Sequence, residues 1–383
     1  MPTNFDNSSA GNDVALPPDI DEIEVSVFGP IYGEAIVLHL GNQNWFIVDS
    51  CLDINRNPAP LSYLKKLNVN LAEDIKQIIV SHWHDDHIRG ISQIVEECHR
   101  AEVVCTEALG STEFLQMIKS FRINLFQETT GIDEFARVMQ ILEKRAIQEK
   151  RNHLLLKRAI SDRLLWKDPQ NSDRCIHSLS PSDTAVLSAN LDFKSLLPKE
   201  DRRGCFRLMP YKKNWCAIAL LATYGDIGIL LGSDLEETPN PSGGWTAIVN
   251  SHLRPQLKAF LYKVPHHGSK TAHNNDVWRL MLHRNPIAVV TPLARSGLPS
   301  PSDVERICSQ TENAFCTAPI TNKRSRKRPH AVEKTLRESG ITIKRINTES
   351  GHVRVRVKMG EDPKTELFGQ AIPLINVYNQ KLG

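Results

Sequence analysis

At 383 residues the chain can bury one large core or two modest ones. It is 40% hydrophobic and 24% charged with a formal net charge of +3, which excludes a disordered or collagen-like chain and neither demands nor forbids a polyanionic partner. The 8 cysteines include no Cys-x-x-Cys pair, which argues against a disulfide framework or zinc ribbon and predicts a reducing, cytoplasmic setting. Met1 to Asp21 has no basic segment before an apolar core, so no leader is expected. No apolar run approaches the roughly 20 residues of a membrane span, so no membrane association is expected.

Residues 1–20, rich in Asn, Ser, Asp and Pro, predict a disordered lead-in. Glu24 to Gly29 alternates as a strand does, Glu34 to Leu40 gives a second strand, and Trp45 to Ser50 a third after the turn Gly41-Asn42-Gln43-Asn44. Asp49, at the end of that third strand, is either a group bracing a nearby site or a plain turn residue. Ile75 to Val80 is a β-branched run that predicts a buried strand, and Ile91 to Cys98 predicts a helix. Between them lies Ser81-His82-Trp83-His84-Asp85-Asp86-His87, with three imidazoles and two carboxylates within six residues. Histidine nitrogen and carboxylate oxygen are ligands of zinc, manganese and iron. Histidines also cap, pack or sit on wet loops, but chance would not set them so densely in a chain with 14 of them.

Val103 to Cys105 predicts another strand. A helical insertion is then expected over residues 108–170. Phe135, Val138, Met139 and Leu142 follow the i, i+3, i+4, i+7 pattern of one helix, and Leu154 to Leu156, Ile160, Leu164 and Leu165 continue an apolar face for a second. The basic residues between Lys144 and Arg163 are read equally as a solvated face and as a phosphate-facing wall or protein-partner surface, spanning 111–167. After Pro169, strands are expected at Cys175 to Leu179 and Asp183 to Val186. A basic loop follows through Arg202, Arg203, Arg207, Lys212 and Lys213 to Asn214. Cys216 to Thr223 and Ile227 to Leu231 read as a hairpin ending at Gly232-Ser233-Asp234. Leu261 to Val264 is a strand tipped by Pro265-His266-His267-Gly268-Ser269-Lys270. Ala288 to Thr291 is a strand, Asp303 to Gln310 and Val332 to Ser339 are helices, and Ile341 to Ile346 and Val353 to Val357 close the sheets before a tail over 361–383.

His82-x-His84-x-Asp86-His87, Asp234 after Gly-Ser, and the late His267 resemble the metallo-β-lactamase fold. Val264-Pro265-His266-His267-Gly268-Ser269, with Asn214-Trp215-Cys216 opening the hairpin to Asp234, is similar to the DNA-internalisation (ComEC-type) branch of these metallo-hydrolases. The resemblance covers roughly residues 23–360 without the helical block. It implies an α/β (α+β) fold over 21–360, an αβ/βα sandwich with two mixed sheets face to face, helices outside and the site at one edge. It also implies two divalent ions, Zn2+ or Mn2+. His82 and His84 would hold the first, Asp86 and His87 the second, with Asp234 between them and His267 as the last ligand. Asp49 would brace the metal loop, and Asp85 and Ser269 are further candidates near the ions. The chain departs from the family pattern twice. Many relatives carry a histidine near the position of Asn214, so Asn214 or water would complete the first ion. The branch often has Asp where this chain has His84, and nitrogen in place of oxygen favours zinc.

Two cations sharing a water lower its pKa towards neutrality and neutralise charge on a phosphoryl or acyl oxygen, which predicts hydrolysis. Asp86, His266 and Lys270 are the expected catalytic groups. Arg202, Arg203, Lys323, Arg324 and Arg326 are candidate nucleic-acid contacts, as are Arg354 and Arg356, which share one strand face. A basic run is more often a solvated loop, but several beside a two-ion site favour a polyanion. The leading expectation is a phosphodiesterase or nuclease acting on DNA. Two alternatives stay open: a hydrolase of a lactam, lactone or thioester, and a subunit inactive until a partner docks on 111–167.

Overall fold

The computed structural model describes residues 16–29, 33–110, 114, 131–196, 214–320, 332 and 351–377. Arg202, Arg203, Lys323, Arg324 and Arg326 lie outside those residues, as do the expected strand over 341–346 and, beyond Val332, the expected helix. In chain order the strands are β1 Ile23–Phe28, β2 Ala35–Leu40, β3 Trp45–Val48, β4 Ile75–Val80, β5 Glu102–Thr106, β6 Leu156–Ala159, β7 Arg163–Lys167 and β8 Arg174–Ser178. They continue as β9 Leu220–Tyr224, β10 Ile227–Leu231, β11 Ala259–Lys263, β12 Leu282–Val290, β13 Ala314–Cys316, β14 His352–Val357, β15 Lys364–Phe368 and β16 Ile372–Pro373. They form two mixed sheets, in the orders β15-β14-β1-β2-β3-β4-β5-β6 and β16-β13-β12-β11-β10-β9-β8-β7.

Period-2 alternation decides which face each strand buries. Ile23, Val25 and Val27 of β1 point between the sheets, as do Val353, Val355 and Val357 of β14; they meet Leu220, Ile229, Leu261 and Val289 of the second sheet. The outer face of the first sheet carries α1 Ala59–Lys66, α2 Asp85–Ile88, α3 Ile91–Glu97, α4 Gly131–Gln148 and α5 Asp183–Leu196. Ile91, Ile94 and Val95 recur at helical spacing and pack with Phe135, Val138 and Leu142 against Ile47, Ile78 and Val103. On the outer face of the second sheet lie α6 Gly244–Asn250 and α7 Pro301–Cys308, where Trp245, Ile248, Val304 and Ile307 cover Leu230, Tyr262 and Val290. This is the expected four-layer sandwich. Among the described residues no helix is long and apolar enough to cross a membrane.

Three expectations are corrected. The second helix of the supposed insertion is two strands: β6 pairs in parallel with β5, and β7 pairs antiparallel with β8. Leu156, Ile160 and Leu164 keep a helical spacing, but each strand finds an unpaired sheet edge that a helix would leave open. Residues 156–167 therefore supply one strand to each sheet. Asp183 to Val186 begins helix α5, not a strand, because Ser182 starts a helix: its Oγ accepts from Ala185 N–H at 3.3 Å and its carbonyl from Val186 N–H at 3.0 Å. The tail over 361–383 includes edge strands of both sheets, with β15 on β14 and β16 on β13.

Candidate metal centre

Parallel pairing sets the ends of several strands at one edge. β3 runs parallel to β4, and β11 lies parallel between β10 and β12. Residues just past those ends therefore meet: Asp49 after β3, Ser81 and His82 after β4, Asp234 after β10, His267 after β11 and Thr291 after β12. Both Asp49 oxygens are taken. Ser81 N–H donates to Oδ1 at 2.7 Å, Ser81 Oγ to Oδ2 at 2.5 Å, and His87 Nδ1 to Oδ2 at 2.8 Å. Asp49 is thus the brace rather than the turn residue. Ser81 spends its one proton on Asp49, so its oxygen accepts from Ser233 Oγ at 2.7 Å and from His82 Nδ1 at 3.0 Å. His267 Nδ1 donates to the Thr291 carbonyl at 3.0 Å.

Each of these three imidazoles has its Nδ1 tied to a fixed oxygen, which leaves its Nε2 for a ligand. The Nε2 atoms of His82, His87 and His267, and Oδ1 of Asp234, are buried without a hydrogen-bond partner. Leaving such a group unpaired costs about 1–3 kcal/mol. His87 Nε2 lies 3.3 Å from Asp234 Oδ1, and His267 Nε2 lies 3.4 Å from Asp234 Oδ2 and 3.5 Å from Asp86 Oδ2. Ligand atoms of Asp86, His87, Asp234 and His267 all fall within 4.8 Å of one another. Buried nitrogen lone pairs and carboxylates at that spacing fit a divalent ion. Asp49, His82 and His87 form a second close group. There the Asp49 oxygens already serve Ser81 and His87, so it is support and not an ion cage.

The ionisable groups of the site shift one another. Burial pushes the Asp234 and Asp86 carboxyls up, but the facing imidazoles His267 and His87 outweigh it and hold both well below the usual carboxylate range. Burial pushes His87 and His267 down, but Asp234 outweighs it, raising His87 well above its ordinary value and His267 to about 9. His82 is held well below 6.5, first by burial and then by His87 and His84. Its ring centroid lies 4.2 Å from that of His87 and 4.7 Å from that of His84. A cation would find His82 neutral and the carboxylates ionised, and would have to displace a proton from His87 and from His267.

The remaining candidates divide. His84 is half-buried beside His82 and stands outside the four-residue group. Asn214 is buried, with Oδ1 unpartnered, and lines a small cavity together with His82. An amide oxygen can complete a site there. Asp85 turns away to cap α4, its Oδ1 accepting from Gly131 N–H at 2.7 Å. Ser269 caps the next short turn by accepting from Thr271 N–H at 3.3 Å. His266 Nδ1 lies 3.1 Å from Glu236 Oε1, and Lys270 is exposed. Arg354 and Arg356 are not free to meet nucleic acid. Arg354 is buried, bonding Glu366 at 2.7 Å and lying over the Phe368 ring; Arg356 bonds Glu24 at 2.7 Å. They share the face opposite the valines, as the alternation implies, but neighbouring chain covers it. The sequence reading missed Ser81, Ser233, Thr291, Glu34, Lys263 and Glu236. A lysine inside the apolar strand β11 was the one signal that could have been used.

Residues 29–122 match the family model described as the metallo-beta-lactamase superfamily. The match takes in the whole histidine cluster. No curated protein matches the chain. Among solved structures, a HARLDQ-motif mutant metallo-beta-lactamase from Cronobacter sakazakii (Enterobacter sakazakii) is 16% identical; the alignment covers 76% of this chain and 84% of that one, with a TM-score of 0.35. A second structure of that HARLDQ-motif enzyme is 16% identical over 59% of this chain and 66% of its own, with a TM-score of 0.32. A further mutant is 14% identical over 56% and 61%, with a TM-score of 0.30. None of these names the DNA-internalisation branch.

Proposed function

We propose that this chain is a two-ion metal-dependent phosphodiesterase that cleaves nucleic acid, with DNA as its first substrate class. The superfamily match and the ligand cluster support a metal-dependent hydrolase. The observation that carries the reading is the turning of three Nδ1-anchored imidazoles, Asp86 and Asp234 onto one buried space. Asp86, His87 and His267 would hold one ion, His82, His84 and Asn214 the other, and Asp234 both. Bound there, divalent cations acidify water and neutralise the charge that builds on a phosphoryl oxygen.

The chain's own residues do the rest. Asp49 and Thr291 fix the His87 and His267 rings through Nδ1. His266, steadied by Glu236 at 3.1 Å and Thr271 at 3.2 Å, keeps its other nitrogen for a phosphate oxygen or a leaving group. Lys270 adds positive charge on the adjacent turn. Phosphodiester over lactam is favoured by the sequence, in which Lys212 and Lys213 immediately precede Asn214. A backbone carrying repeated negative charge is the substrate that uses repeated cations.

The test is a cleavage panel of single- and double-stranded DNA, RNA, cyclic dinucleotides and a lactam, with the zinc- and manganese-loaded protein. The Asp86→Ala His87→Ala double variant runs alongside. Metal-dependent cleavage of DNA, lost in the variant, is expected. Turnover of the lactam with no phosphodiester cut overturns the substrate class, and equal cleavage by the variant overturns the site.

A further inference from the structure

The two halves of the metal centre come from different sheets, and one buried ion pair joins them. Lys263 and Glu34 are 0% and 1% exposed, and Lys263 Nζ pairs with Glu34 Oε2. Such a pair is weak evidence for stability, since apolar residues of similar volume often serve as well. Its contacts point elsewhere. The Glu34 backbone N–H donates to the Asp86 carbonyl at 2.8 Å. Lys263 Nζ donates to the Ser233 carbonyl at 3.2 Å, next to Asp234, and that carbonyl also takes His266 N–H at 2.9 Å. Thr291 Oγ1 donates its proton to Glu34 Oε2. The Thr291 oxygen, 3.3 Å from His267 Nδ1, is then free only to accept.

We propose that Glu34 and Lys263 are positioning residues for the ion held by Asp86, Asp234 and His267. They act through Thr291 and Ser233 and do not touch the ion. Glu34 orients the Thr291 hydroxyl so that the His267 proton stays on Nδ1 and the Nε2 lone pair faces the cation. Lys263 neutralises Glu34 and holds the Ser233 carbonyl, which sets the turn that presents Asp234. A carboxylate behind a ligating imidazole commonly raises its basicity and fixes its tautomer; here a threonine hydroxyl relays that effect. The inference rests on the metal-centre reading above and adds residues that reading does not contain.

The test compares the intact chain with Glu34→Gln, Lys263→Met and the Glu34→Gln Lys263→Met double variant. Zn2+ is titrated against a competing chromophoric chelator, Co2+ absorption reports the ligand field, and thermal unfolding of the metal-free proteins reports the fold. Glu34→Gln and the double variant are expected to lose roughly 10–100-fold in affinity for one ion, with the other ion little changed and the Co2+ spectrum altered. Lys263→Met alone leaves a buried carboxylate without its counter-charge and Glu34→Gln alone a buried ammonium, so either single variant can fail to fold. The double variant carries neither charge and decides the question. A folded double variant that takes both ions with wild-type affinity and an unchanged Co2+ spectrum overturns the proposal. A wild-type chain that takes up no ion overturns the metal-centre reading itself, which is a separate result.

Discussion

Asp49→Asn tests the logic of the centre with a single atom. In the native site the Asp49 oxygens only accept: Oδ1 from Ser81 N–H at 2.7 Å, and Oδ2 from Ser81 Oγ at 2.5 Å and His87 Nδ1 at 2.8 Å. Asparagine keeps its oxygen on the backbone N–H, but its NH2 then faces two donors. Left as it is, the clash strands buried groups at about 1–3 kcal/mol each. Relief requires His87 to move its proton to Nε2, which lies 3.3 Å from Asp234 Oδ1, and the lone pair meant for the ion is lost. Zinc affinity should fall roughly 10–100-fold, about 1.4–2.7 kcal/mol. The assay is chelator-competition titration of the purified variant, with unfolding midpoints measured with and without zinc. Zinc should raise the wild-type midpoint more than that of the variant. A variant that binds zinc as tightly as wild type refutes the claim that Asp49 acts by holding the His87 tautomer.

Acid should weaken the fold through a histidine outside the site. Burial holds His39 down to about 4 from 6.5, and its Nδ1 donates to the Glu22 carbonyl at 2.8 Å. The unfolded chain takes that proton first, so the stability is full above about pH 6.5 and is lost as pH falls to about 4, at most roughly 3 kcal/mol. Urea midpoints of wild type and His39→Gln should diverge between those pH values, and parallel curves would count against it. Arg354→Ala should cost about 1–3 kcal/mol, because the buried arginine and its bond to Glu366 are lost while Glu366 keeps Lys364 at 3.0 Å, and the salt dependence of DNA binding stays unchanged; a shallower salt slope in binding assays would restore Arg354 as a nucleic-acid contact. Asp85→Ala should cost about 1 kcal/mol in thermal unfolding through the α4 cap and leave the zinc content by elemental analysis unchanged. A lost ion would make Asp85 a ligand after all.

The layers were legible because β-branched alternation and helical spacing obey local rules. Phe135, Val138 and Leu142 declared α4, and Val353, Val355 and Val357 declared which face of β14 is inside. The candidate ligands were legible because His82, Asp86 and His87 are close in sequence and Asp234 and His267 sit at strand ends. What held them was not. Ser81, Ser233, Thr291, Glu34 and Lys263 are common residue types whose roles arise only when strands distant in sequence become neighbours. Thr291 and Glu34 are 257 positions apart and share a hydrogen bond. Arg354 and Arg356 misled for the matching reason: a basic alternation looks the same on a solvent face and on one covered by Glu24 and Glu366.

The same residues explain why this edge of the sandwich is costly without a cation. Asp49, Ser233, His266 and His267 all have positive φ, between 45° and 59°, although none is glycine. Conformations of that kind cost about 1–3 kcal/mol each and persist only where surrounding bonds over-determine them. Those bonds are present: Asp49 N–H reaches Ile79 O at 2.8 Å, and His266 N–H reaches Ser233 O at 2.9 Å. Imidazole nitrogens of His82, His87 and His267 lie buried there without hydrogen-bond partners, and the His82 and His87 ring centroids are 4.2 Å apart. A bound cation turns the unpartnered nitrogens into ligands and the carboxylates into counter-charge in one step. Backbone strain, unpartnered nitrogens and carboxylates meet around Asp234, which lies 3.3 Å from His87 and 3.4 Å from His267.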